Sequence, residues 1–165
     1  MLKIGVISDT HSYWDDKFSD YFSVCDEIWH AGDIGNEEVL YNLEIIKPVR
    51  AVYGNIDNHL IRIRCPEILR FKVEEVDVLL THIGGYPGNY ASSIRREIYS
   101  SPPALFVCGH SHILKVMFDK SLKMLCVNPG AAGMSGFQQV RTILRFVIDG
   151  KEIKDMEVIE LSPQT

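Results

Sequence analysis

Ala104-Leu105-Phe106-Val107-Cys108-Gly109-His110-Ser111-His112 is the stretch whose reading decides the fold. Its first five residues form a short continuous apolar run, the pattern of a buried strand. Gly109 lets the chain turn sharply. Two histidines one residue apart follow at the strand end, where both can reach a common pocket. Imidazole is the commonest metal-ligating side chain near neutral pH. Alone, the pair reads equally well as two polar residues in a surface loop. The balance shifts because other strand ends in this chain stop on the same kind of residue.

Working outward from the N-terminus, Leu2-Lys3-Ile4-Gly5-Val6-Ile7 is a mostly apolar, central strand that ends in Ser8-Asp9-Thr10-His11. Phe18, Tyr21, Phe22 and Cys25 then recur at helical spacing. Glu27-Ile28-Trp29 is a short strand that ends in His30-Ala31-Gly32-Asp33. Asn36 caps a helix with Val39, Leu40, Leu43 and Ile46 on its buried side, and Pro48 closes it. A third strand, 49–53, ends in Gly54-Asn55-Ile56-Asp57. Strand, helix, strand, helix, strand is a parallel α/β start, and in such sheets ligand groups gather beyond the carboxyl ends of the strands.

The second half is richer in strands. Leu69, Phe71 and Val73 alternate with charged residues. A strand over 76–80 ends in Thr81-His82-Ile83-Gly84-Gly85, and a helix within 88–99 turns Ala91, Ile94 and Ile98 inward. Residues 113–118 and 123–127 read as a hairpin, followed by Asn128-Pro129-Gly130-Ala131-Ala132-Gly133, a tight turn beside the pocket. Two last strands flank the Asp149-Gly150 turn, and the tail from Ser162 is expected to fray. A second sheet packed on the first is simpler than a second domain, so residues 1–165 are expected to form one domain.

Composition is that of an ordinary globule: 46% hydrophobic and 24% charged. The net charge of −5 argues against a protein that holds nucleic acid by a broad basic field. No stretch approaches the ~20 apolar residues of a membrane span, and residues 1–8 lack a signal-peptide core. Cys25, Cys65, Cys108 and Cys126 lie far apart and read as reduced, packed thiols. A cytoplasmic protein is the expectation.

Collected, the strand ends offer Asp9, His11, Asp33, Asn55, His82, His110 and His112. Seven such groups are too many for one tetrahedral structural zinc. They suit two divalent ions sharing a carboxylate, roughly 3.5–4 Å apart. A single catalytic metal with the rest around it is the alternative. Nitrogen and oxygen donors without thiolate favour manganese, iron, zinc or nickel, and manganese is the expectation.

Asp9-Thr10-His11, Gly32-Asp33, Gly54-Asn55, Thr81-His82 and Gly109-His110-Ser111-His112 resemble, in order, the D-x-H, G-D, G-N, H and G-H-x-H blocks of the calcineurin-like metallophosphoesterases. Asn128-Pro129-Gly130 resembles a loop of the small bacterial and archaeal phosphodiesterases of that superfamily. The resemblance implies an α/β fold, a four-layer α/β/β/α sandwich of two mixed sheets. It implies that Asp9, His11 and His112 hold one metal, that Asn55, His82 and His110 hold the other, and that Asp33 bridges. It implies hydrolysis of a small phosphoester, by a hydroxide bridging two divalent ions, and assembly into dimers or tetramers. No stable nucleic-acid binding is expected.

One departure stands out. Many family members carry G-N-H-[DE], with a histidine suited to protonating the leaving oxygen; here that position is Ile56. A modest phosphodiesterase that prefers acidic leaving groups is therefore expected. Asn55 is both a ligand and a candidate donor to a phosphate oxygen. Asp57 is a further catalytic candidate, placed to orient a ligand or water; His59 could in principle act as a substitute acid but is the less favoured reading.

Plainer readings exist for several residues. Asp9 and Asp33 could be helix caps, Asn55 a turn residue and His82 a solvated loop residue. His30 reads as packed, or as donating to a carboxylate; Arg95-Arg96 reads as a solvated face. Trp14, Tyr86 and Tyr90 either line a substrate cleft or pack. The competing functional reading is a protein-binding scaffold with weak or no activity, because the small retromer subunit has a similar fold.

Overall fold

A computed structural model describes residues 1–161 of the chain, so the frayed tail expected from Ser162 lies outside the described residues. The first part is β1 (Leu2–Ile7), α1 (Lys17–Phe22), β2 (Glu27–His30), α2 (Glu37–Ile46), β3 (Val49–Ala51) and α3 (His59–Arg64). Then come β4 (Ile68–Val73), β5 (Val76–Thr81), the small hairpin β6 (Gly85–Tyr86) and β7 (Asn89–Tyr90), α4 (Ser92–Ser100) and β8 (Leu105–Val107). The chain closes with β9 (Lys115–Asp119), β10 (Met124–Asn128), β11 (Arg141–Asp149) and β12 (Glu152–Leu161).

Two mixed five-stranded sheets result, one ordered β12-β11-β1-β2-β3 and the other β4-β5-β8-β10-β9. Strand alternation sends side chains to both faces, and both faces are covered, which is why the central strands read as continuous apolar runs. Ile4, Val6, Trp29, Val78, Leu80, Leu105 and Val107 fill the space between the sheets. Ile7 and Ile28 point the other way, against Phe18 and Phe22 of α1 and Val39, Leu40 and Leu43 of α2. Leu79 and Phe106 point outward on the second sheet, against Ile94 and Ile98 of α4. Three apolar interfaces separating helix, sheet, sheet and helix make the four-layer α/β/β/α sandwich that the family resemblance implies.

Trp29 anchors the middle interface. It is fully buried, with Phe71 at 5.1 Å and Phe146 at 5.8 Å between ring centroids, both edge to face. Each such pair adds about 0.5–1.5 kcal/mol beyond area burial. Because Trp29 precedes the His30–Asp33 turn, this packing fixes where that turn begins.

The structure departs from the sequence reading in three places. α3 and the β6–β7 hairpin were not anticipated, because each is too short to show a period. The signal for α3 was Asn58, whose side chain accepts from the Ile61 N–H at 3.1 Å as an N-cap. The strands after residue 112 also divide. β9 and β10 extend the second sheet, whereas β11 crosses to pair antiparallel with β1, Ile4 opposite Phe146. Alternation in β11 fits either sheet, so local pattern did not reveal which edge it closes. The N-cap of α2 is as expected: Asn36 accepts from Val39 N–H. All four cysteines are buried and free.

Candidate metal centre

β1, β2 and β3 run parallel in one sheet, and β5, β8 and β10 run parallel in the other. Their carboxyl ends meet at one edge of the sandwich. Beyond the strands the loops stay hydrogen-bonded: Asp9 N–H to Gly32 O, His11 N–H to Asp33 O, Gly109 N–H to His82 O and Gly133 N–H to Asp9 O, all 2.9–3.0 Å. Side chains from a hundred residues of sequence are thus mounted on a backbone ladder rather than on free loops.

The backbone is bent to suit. Asp9, His11, Asp33, His110 and His112 all have positive φ, between 45° and 73°. For a residue with a Cβ this costs about 1–2 kcal/mol each. Five such residues at one spot mark a place where geometry is held for function. Gly109, read as the turning residue, is not among the positive-φ positions. Its reason is room: a Cβ there would stand 2.1 Å from Ser8 Oγ and 2.8 Å from Asp9 Oδ2. The histidines after it make the turn.

Two groups of ligand atoms result. Asp9, His11 and His112 form one, and Asp33, His82 and His110 form the other, the atoms of each group lying within 4.8 Å of one another. His112 Nε2 is 3.2 Å from Asp9 Oδ1. Asp33 Oδ2 lies between the groups, 3.4 Å from His11 Nε2 and 3.2 Å from His82 Nε2. Asn55, the seventh candidate, joins the second group through a 3.0 Å contact between its Oδ1 and His110 Nδ1.

Asp9 Oδ1, His11 Nε2 and His82 Nε2 are buried and have no hydrogen-bond partner. A buried polar atom left unpaired costs about 1–3 kcal/mol, so three facing one another demand a common partner. A divalent cation meets all three at once, and the donor set of carboxylate, imidazole and amide fits one. Charge supports this. Burial would raise the carboxyls of Asp9 and Asp33, yet the surrounding histidines, with Ser8 and the Ile56 N–H, hold both below the usual range. Asp9 raises His11, and Asp33 raises His82 against its burial.

The outward nitrogens are fixed by groups behind them. His82 Nδ1 donates to Ala31 O at 2.7 Å, which leaves Nε2 with its lone pair toward the site. His112 Nδ1 donates to Gln138 Oε1 at 3.0 Å, and Gln138 is itself held by Gly133 O and Ser135 O. Sequence reasoning missed Gln138, which lies in an irregular segment with no motif around it. Gln138→Leu is expected to lower metal affinity about 10–100-fold with little change in melting temperature; metal titration of the variant checks it.

Other candidates fall further out. Asp57 stands outside both groups: its carboxylate accepts from the N–H groups of Ile34, Gly35 and Gly54 at 2.8–3.2 Å. It ties the loop carrying Asp33 to the loop carrying Asn55. His30 is fully buried; its Nδ1 accepts from Gly32 N–H and its Nε2 donates to Thr10 Oγ1, and burial pushes it down to about 4, so it stays neutral. It is packed behind the site and donates to no carboxylate. His59 is exposed on the first turn of α3, outside both groups. Trp14 packs on Phe18, and Tyr90 is buried with its hydroxyl donating to Asp119. Tyr86 is exposed beside a cavity that reaches His110. Asn128 donates to Gly109 O and Ser111 Oγ, so the turn after β10 braces the His110–His112 loop.

An α/β/β/α sandwich with paired aspartate–histidine groups at the strand ends defines a metallophosphoesterase-type protein. The profile of the calcineurin-like phosphoesterase superfamily domain matches residues 2–151, and the chain belongs to that family. It is 32% identical to a probable metallophosphoesterase of Methanothermobacter thermautotrophicus over 164 residues, covering 96% of this chain and 92% of the relative. Among solved structures, it is similar to a novel archaeal phosphodiesterase, with a TM-score of 0.76 at 22% identity over 97% of this chain and 100% of that one. It is equally similar in fold to wild-type Vps29 of Entamoeba histolytica complexed with zinc, with a TM-score of 0.76 at 16% identity over 97% and 98% of the two chains.

Proposed function

We propose that the protein is a phosphodiesterase that works with two divalent ions, manganese first among them and iron, zinc or nickel as alternatives. The observation that carries this reading is the set of unpartnered buried atoms, Asp9 Oδ1, His11 Nε2 and His82 Nε2, converging between two ligand groups. Asp9, His11 and His112 would hold one ion and Asn55, His82 and His110 the other, with Asp33 shared. When bound, such a pair lowers the pKa of water and takes up charge on phosphate oxygens.

The chain's own residues do the rest. Ala31 O and Gln138 orient His82 and His112, so that no tautomer change is needed at the moment of reaction. Asn55 is exposed at the edge of the site, where its amide can donate to a phosphate oxygen. Asp57 keeps the Asp33 and Asn55 loops at a fixed spacing.

Where many family members carry a histidine suited to protonating the leaving oxygen, Ile56 has no proton to give. Ile56 is half-exposed and contributes only its N–H, donated to Asp33 Oδ1 at 3.0 Å. Turnover is therefore expected to fall steeply as the pKa of the leaving alcohol rises. Ile56→His should recover about 10²-fold on poor leaving groups, the lower range for general acid catalysis. A series of aryl diesters measures both; a flat dependence on leaving-group pKa removes this account.

The deciding experiment is hydrolysis of bis(4-nitrophenyl) phosphate by purified protein with added manganese, alongside elemental analysis. No turnover with any divalent ion, and none bound, would favour the scaffold reading that the likeness to Vps29 keeps in view. The substrate is a small phosphoester, and an acidic surface makes stable nucleic-acid binding unfavourable. Among the described residues no helix is long and apolar enough to cross a membrane. Four buried free thiols suit a reducing cytoplasm.

A further inference from the structure

A cavity of about 410 Å³ opens from His110 and runs between the β6–β7 hairpin and the start of β9. It is more than twice the roughly 150 Å³ that admits a benzene ring. Its lining is biased toward positive charge. The sequence has 22 acidic residues against 17 lysines and arginines, yet among the described residues no aspartate or glutamate lines this cavity, whereas Arg95 and Lys115 do.

The two cations differ in availability. Arg95 directs Nε and Nη2 to Tyr90 O at 3.1 and 2.8 Å. Lys115 has no carboxylate within ion-pair distance among the described residues. It is half-buried, with its ammonium held 4.3 Å over the Tyr86 ring, and Tyr86 is steadied by a hydrogen bond from Asn89. A cation parked on an aromatic face, in a pocket free of counter-charge, is fixed in place and still able to take an anion.

We infer that this cavity receives the organic arm of the phosphoester and selects an arm that is itself anionic, bearing a carboxylate or a second phosphate held by Lys115. Tyr86 is the positioning residue for that ammonium. The inference rests on the reading of His110 as part of the phosphate site, and it narrows the substrate class to esters with two separated negative groups.

The test compares bis(4-nitrophenyl) phosphate with 4-nitrophenyl 3-carboxyphenyl phosphate, which share a leaving group. Wild-type protein is expected to show about five-fold lower KM for the carboxylate, a gain that shrinks with added salt. In Lys115→Gln the ratio should fall to about one, Lys115→Arg should keep it, and Lys115→Glu should invert it. Calorimetric titration of the metal-loaded protein with phenyl phosphate and 3-carboxyphenyl phosphate gives the same ratio without turnover. If neither diester is hydrolysed but the binding ratio and its loss in Lys115→Gln persist, the hydrolytic reading falls and the subsite stands. A ratio near one in wild type, or one that Lys115→Gln leaves intact, overturns the inference.

Discussion

Asp33→Ala is expected to reduce hydrolysis of bis(4-nitrophenyl) phosphate by at least about 10³-fold and to lower the bound metal from two ions per chain to one or fewer. The argument is geometric. Asp33 Oδ2 is within 3.4 Å of His11 Nε2 in one ligand group and 3.2 Å of His82 Nε2 in the other. Its Oδ1 is committed to the Ile56 N–H. Alanine takes away an oxygen that lies within 3.4 Å of a histidine of each group, closer to both His11 and His82 than Asp9 Oδ1 at 3.8 Å, and leaves that N–H without its acceptor. Removing a single charge-stabilising donor from an active site already costs about 10²–10³, and on the two-ion reading proposed above a ligand to both ions is lost. Asp33→Asn keeps the shape without the charge and should fall between the two. Elemental analysis and turnover measure the effect; two ions retained with more than a tenth of the activity would show that Asp33 does not bridge.

Gly54→Ala should look like a ligand mutation although Gly54 ligates nothing. A Cβ at this position would stand 2.1 Å from Asp33 Oδ1 and 2.3 Å from the Asp33 backbone N. A side chain can rotate away from such a clash, but a backbone nitrogen cannot. The loop carrying Asp33 or the end of β3 must move, and Asp57, which accepts from Gly54 N–H at 2.8 Å, is pulled with it. Overpacking of this kind costs about 1–3 kcal/mol of stability. A displacement of about 1 Å in a positioning element can cost about 10²-fold in rate. The expected result is a lowered melting temperature together with a roughly 10²-fold loss of turnover; wild-type turnover in a folded variant would refute it.

Gly54 also shows why the motif blocks were legible and what they left out. The glycine of Gly54-Asn55 is needed because the carboxylate of another block, Asp33, occupies the space its side chain would fill. Gly109 likewise leaves room for Ser8 Oγ and, at 2.8 Å, for the Asp9 carboxylate. The blocks are written separately in the chain, but each constrains its neighbour in space. Reading them in order recovered the strand ends, since each follows a short, mostly apolar run. Gln138 had no such marker: its place behind His112 depends on a loop that returns from β10. Asp57 read as a candidate catalyst because it is a carboxylate beside Asn55, and only the hydrogen bonds show its oxygens turned to three backbone N–H groups.

By itself the sequence determined the α/β start, the strand-rich second half, the placing of candidate ligands at strand ends and the chemical type of each. These are local properties: side-chain period, capping and donor chemistry are carried by residues close together in the chain. The family resemblance added the four-layer sandwich, the division of the candidate ligands into two groups with Asp33 between them, and the missing proton donor at Ile56, whereas the tertiary structure alone decided that β11 returns to β1, that Gln138 stands behind His112, and that Lys115 faces a cavity with no acidic lining among the described residues. Those outcomes depend on which strand edges pair and how two sheets face each other. Alternation is blind to that choice, because a strand apolar on both faces fits either sheet equally well.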